Sequence, residues 1–147
     1  MKTKQFVLKI ISCVFSALFI LPLFLNFIGY RVGDFRNSYS YSYCSSTFTD
    51  PLIVIARVLY IVALVMAMIL LVSLILQFIF KHEIIDWIVI GSAVLTIICA
   101  SLCFVSALLY CVSISSSSII WYPSVGCYFI LVLGLATPII ALFSNRK

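Results

Sequence analysis

In a chain of 147 residues, 65% hydrophobic and 9% charged, most apolar side chains have no interior to hide in. A mean hydropathy of +1.32 excludes an ordinary soluble domain, in which about 25% of residues are charged. The net charge of +5 is spread among helix ends, not clustered, which argues against nucleic-acid binding and for topology signals. Lipid is the expected solvent and one domain the expected organisation.

The first apolar run, Phe6–Ile28, follows the basic start MKTK. It is long for the core of a signal peptide and no A-x-A-like site follows it, so it reads as a retained anchor. Pro22, close to Asn26, should bend the run or end its regular part. A polar stretch over 29–51 comes next. Gly33-Asp34 supplies a turn there, and from Phe35 to Cys44 the residues alternate with strand periodicity. Phe35, Asn37, Tyr39, Tyr41 and Tyr43 share one face; Arg36, Ser38, Ser40, Ser42 and Cys44 share the other.

The second run, Leu52–Phe80, is announced by Asp50-Pro51, a cap followed by a first-turn proline. Its 29 residues span roughly 43 Å as a helix, more than the ~30 Å of a hydrocarbon core, so it should tilt or project. Arg57, a turn and a half in, either snorkels to the interface or pairs with Asp34 or Asp50. A short loop over 81–86 closes this helix with Lys81 and His82. It opens the next with Glu83 and Asp86, each sign matched to its helix dipole.

The third run, Trp87–Ile114, carries a stripe of small or polar residues: Ser92, Thr96, Cys99, Cys103, Ser106, Tyr110 and Ser113. Steps of four and three put them on one helix face, flanked by Ala93, Ala100 and Ala107. In lipid such a face means close contact with another helix, within the bundle or in an oligomer. Ala56, Tyr60, Ala63 and Ala67 in the second run, with Gly126, Gly134 and Ala141 in the fourth, are its expected counterparts. A loop over 115–118 leads to the fourth run, Ile119–Phe143, which contains Pro138. Trp87, Trp121 and Tyr122 lie where an aromatic belt belongs.

The expected fold class is an all-α integral membrane protein, a four-transmembrane-helix bundle, because open sheets leave backbone groups unpaired in lipid. A lone strand is unstable. The 35–44 strand should therefore pair with the alternating Val112 and Ile114 of the second loop, giving a small extracellular strand pair. Lys2, Lys4, Lys9, Lys81, Arg146 and Lys147 fall on one side of the membrane and Arg31, Arg36 and Arg57 on the other. The positive-inside rule then places both termini in the cytoplasm, most simply at a cell membrane.

Of the six cysteines, Cys13, Cys99 and Cys103 read as small packing residues. Cys44, Cys111 and Cys127 share the outer side, and a disulfide from Cys44 to Cys111 or Cys127 is expected if that side is oxidising. No catalytic residue, cofactor or small-molecule substrate is inferred. His82 and Asp86 are a helical turn apart, but two ligands do not make a metal site. There is no HExxH, no Gly-rich phosphate loop, no Ser-His-Asp set and no N-x-[ST] acceptor.

Four spans, inner termini, a larger first outer loop with strands and a small second one resemble the claudin and peripheral-myelin-protein group of tetraspans. ARVLYIVALVMA (56–67) is similar to the small-rich start of that family's second span, and PSVGCYFILVLGLATPIIALF (123–143) to its fourth. The first loop is shorter than in the family and lacks its W-G-L-W…C…C signature, having no Trp and one Cys, so junction and channel roles do not carry over. Small bacterial tetraspans with a Pro/Gly/aromatic entry to the last helix are about as similar. Two functional readings follow. One is a non-enzymatic tetraspan whose outer face, with Tyr39, Tyr41 and Tyr43, contacts a protein partner or a second copy. The other is an accessory or immunity-type subunit of a larger membrane transporter or secretion complex, held through its helix faces.

Overall fold

The computed structural model describes residues 3–40 and 51–144. Four long helices, α1 (Thr3–Leu18), α2 (Pro51–Ile79), α3 (Glu83–Ile114) and α4 (Val125–Ser144), are accompanied by strands β1 (Asn26–Val32) and β2 (Phe35–Ser40) between α1 and α2, and β3 (Ile120–Pro123) between α3 and α4. Consecutive helices pack together and α4 closes back on α1. All four helical segments are long and apolar enough to cross a membrane, the first as Thr3–Leu23.

The bundle is apolar on the outside, and within it small and polar residues join large apolar ones such as Phe19, Ile53, Leu70 and Ile130. Along α1 the inward residues are Lys9, Ser12 and Ser16. On α2 they include Ala56, Tyr60, Ala63 and Ala67, while Val58, Val65, Val72 and Ile75 face outward. Water would not tolerate so much exposed aliphatic surface in a lone chain. Small inner residues let the helix backbones approach, and hydroxyls cross-link them. The Ser12 hydroxyl donates to the Thr137 carbonyl at 3.0 Å, and the Tyr60 hydroxyl to the Phe19 carbonyl at 2.8 Å. The first bond ties α1 to α4 and the second ties the end of α1 to α2. Helix α4 runs through Pro138 without ending, to Ser144.

The first helix is shorter than the apolar run that contains it. Phe6–Ile28 was the expected span, yet the α-helix stops at Leu18 and residues 26–28 are strand. Pro22 is the cause. It has no N–H to donate to the Leu18 carbonyl, so the α-helical ladder ends there and a short 3₁₀ turn, Leu21–Leu23, follows. The fourth helix is likewise shorter than Ile119–Phe143. It begins at Val125, and Ile120–Pro123, rich in β-branched and aromatic residues, forms β3.

The sheet has three strands in the order β2-β1-β3, both pairings antiparallel. This corrects the expected pairing of the 35–44 strand with Val112 and Ile114. Those two residues close α3, and the partner of β2 is β1, whose other edge takes β3. Gly33, at φ +58°, leads the two-residue β1–β2 turn, a conformation costly for any residue with a side chain. A register shift between Asn26 and Ile28 lets the neighbours Phe27 and Ile28 both be buried, which strict alternation forbids. The Phe27 carbonyl accepts from Ser124 N–H at 3.0 Å and from the Cys127 thiol at 2.9 Å, anchoring β1 to the start of α4.

The serine run between α3 and β3 is a folded connection. Ser115 caps α3 by donating its hydroxyl to the Cys111 carbonyl at 2.7 Å, and the same oxygen accepts from Trp121 N–H at 2.9 Å. Ser116 N–H donates to the Ile119 carbonyl at 2.7 Å, closing the turn.

Candidate functional site

At the sheet-bearing end of the bundle, strand register gathers aromatic rings on one face. Tyr30 on β1 lies opposite Trp121 on β3 and Asn37 on β2, and the neighbouring Ile28 lies opposite Tyr39. Tyr30 meets Trp121 with centroids 5.0 Å apart and stacks on Tyr39 at 5.9 Å; Tyr39 stacks on Trp121 at 6.2 Å. Each such ring pair contributes about 0.5–1.5 kcal/mol beyond area burial. Tyr39 and Trp121 also pack on the bundle core. Tyr39 is therefore half-buried and serves its own fold. Tyr41 and Tyr43 lie outside the described residues.

The ring row runs outward to the hairpin tip. Phe35, 6.3 Å from Tyr30, is 61% exposed, and Val32 beside it is exposed too. On the opposite face, Tyr122 packs against Gly29, where a Cβ would sit 2.9 Å from the ring. Farther out, Arg31 lies directly opposite Arg36, both exposed. Like charges in that position repel. The tip thus offers two outward apolar side chains and a pair of guanidinium groups.

The small-residue stripe of α3 faces inward. Ser92, Thr96, Cys99, Cys103 and Tyr110 are buried, as are Ala93, Ala100 and Ala107. Ser106 is half-buried and Ser113 exposed, so the stripe fades where α3 nears the sheet. Several of the hydroxyls turn back on their own helix: Ser92 donates to the Ile88 carbonyl at 2.8 Å and Thr96 to the Ser92 carbonyl at 2.7 Å. Gly134 of α4 meets Ala100 with no room for a Cβ. Cys111 and Cys127 are buried, and Cys44, their expected disulfide partner, lies outside the described residues. Among the described residues, no three His, Cys, Asp or Glu side chains come together to hold a metal ion.

No protein-family model, curated protein or solved structure matches this chain. The chemistry of the two ends of the bundle rests on their own geometry.

The end away from the sheet holds a polar group that composition hid. Lys9 counts in the sequence as one more basic residue near a terminus, but it is only 7% exposed. Its ammonium lies 5.9 Å from the Phe78 ring centroid. Nearby, Gln77 donates its amide to Asp86 at 2.7 Å, tying the end of α2 to the first turn of α3. Lys9, Gln77 and Asp86 line a cleft of about 310 Å³ with Phe80, Lys81, His82 and Glu83. The spacing Lys9, Ser12, Ser16 was the available signal: three polar residues on one face of an otherwise apolar helix.

Proposed function

We propose that this chain is a non-enzymatic, four-span membrane protein that acts by protein–protein contact at its sheet-bearing end, with both termini in the cytoplasm. The hairpin tip carries the reading: Phe35 and Val32 are exposed on one face of it, and the opposed Arg31 and Arg36 on the other. An exposed apolar pair on one face of the tip, and on the other two guanidinium groups with no ion pair among the described residues, suit a partner cleft with one apolar wall and one carboxylate-bearing wall. The helix faces offer less for the accessory-subunit reading, since their small residues are already buried against one another. The two-sided Lys/Arg split favours the orientation.

The test is the particle mass in mild detergent for the wild-type chain and for the double variant Phe35→Ser/Arg36→Ser. Both positions are exposed, so thermal stability should hold. The wild type is expected to purify in a complex that the variant loses. A wild type that runs as a bare monomer, or a variant that keeps its partner, would remove this reading.

A further inference from the structure

The cleft at the far end of the bundle has an unusual balance of charge. Lys9 and Lys81 supply two cations, Glu83 and Asp86 two carboxylates. His82 is engaged at its own helix end, its Nδ1 accepting from Ile84 N–H at 3.4 Å. Asp86 already accepts from Gln77. No hydrogen bond or ion pair to the described residues satisfies the Lys9 ammonium or the Glu83 carboxylate. Lys9 is only 7% exposed; its ammonium lies over the face of Phe78 and within electrostatic reach of the Asp86 carboxylate. An ionisable group at this depth in a spanning helix calls for a counter-charge, and Asp86, shared with Gln77, supplies part of it.

A simple anion would meet Lys9 but also two carboxylates. A simple cation would meet the carboxylates but also Lys9 and Lys81. A ligand carrying both signs a few bonds apart fits the lining. Four residues up α2 from Gln77, Ser73 helps to line an open groove of about 570 Å³, otherwise apolar, with Leu64, Met68, Val72 and Ile88. A headgroup cleft and an acyl-chain groove thus occupy the same end of the α2–α3 pair.

We propose that the cleft binds the headgroup of a membrane phospholipid that carries a primary ammonium. Its phosphate sits on Lys9 and Lys81, and its ammonium donates to Glu83. A primary ammonium has N–H donors for that carboxylate, whereas a quaternary choline has none. This proposal rests on the helices being membrane spans and not on the contact at the sheet end.

The experiment is native mass spectrometry of the detergent-purified full chain titrated with phosphatidylethanolamine, phosphatidylcholine or phosphatidylglycerol of identical acyl chains. Phosphatidylethanolamine should be retained about tenfold more tightly than either, the size of one charge-assisted hydrogen bond. Glu83→Gln, at an exposed position that leaves the fold alone, should abolish the preference over phosphatidylcholine. Lys9→Met should abolish retention of all three. Equal retention of the three lipids, a preference for phosphatidylglycerol, or an unchanged preference in Glu83→Gln would overturn the proposal. Competition by soluble glycerophosphoethanolamine as strong as by the lipid would mean a free headgroup and overturn the lipid assignment. A chain that fails to sediment with membranes would instead remove the spanning reading itself.

Discussion

Gly134 of α4 and Ala100 of α3 touch where neither helix has anything larger to spare, and a Cβ on Gly134 would overlap the Ala100 methyl. Gly134→Ala must push the two helices apart. The expected cost is about 1–3 kcal/mol, read as thermal unfolding in detergent. Gly91, on the outer face of α3, has open space where a Cβ would project. Gly91→Ala should be neutral or stabilising by up to about 1 kcal/mol, because alanine is the better helix former. Equal loss at both positions would mean that Gly134 does not mark a close helix contact.

The α3 stripe makes a similar pair of expectations. Cys103 is fully buried, while Val94 is 42% exposed on the outer face. Cys103→Leu should overpack the bundle by about 1–3 kcal/mol, and Val94→Leu should change little. Ser106→Leu should fall between them, since Ser106 is half-buried. If Cys103→Leu and Val94→Leu prove equally mild, the stripe does not pack against its neighbours.

Tyr60 reaches across the core to the Phe19 carbonyl, just past the last residue of α1. Helix ends leave carbonyls without backbone donors. Tyr60→Phe keeps the ring and removes the hydroxyl, stranding that oxygen in a dry site. The expected loss is about 1–3 kcal/mol. A stability unchanged within error would show that the carbonyl finds another donor.

Chain periodicity and composition carried the helical parts of this fold a long way. Apolar runs between polar breaks mark where α2 and α3 lie, and the alternation after Gly33-Asp34 marks β2. The failures came where apolar character does not change with conformation. Phe27 and Ile28 are as greasy as the helix before them, so the passage from α1 to β1 leaves no step in hydropathy. Pro22 was the physical mark of that boundary, and its missing N–H decides it. Ile119–Pro123 hides β3 in the same way. Lys9 does not stand out in a charge count, which treats every lysine alike. Only the inward face it shares with Ser12 and Ser16 sets it apart.

Orientation can be tested directly. In a cysteine-free background, Asp34→Cys at the hairpin turn should react with a membrane-impermeant thiol reagent on intact cells. Thr3→Cys and Lys81→Cys, at the opposite end of the bundle, should react only after permeabilisation. Labelling of either without permeabilisation would reverse the assignment made from Lys and Arg.

The central strand β1 is tied to residues about a hundred positions further along, as the bond from Cys127 to Phe27 records. On a ribosome this sets an order of events. The β1–β2 hairpin is made early, then waits with one edge of β1 bare while two long helices are synthesised and placed. A bare strand edge is a template for wrong partners. The waiting edge carries Arg31, a charge of the kind that discourages such pairing. Chains arrested after Ser118 should have a hairpin that proteases cut readily, and release through Pro123 and α4 should protect it. Equal protection in both would mean that the hairpin stands without its last strand, and that nothing in this protein has to wait.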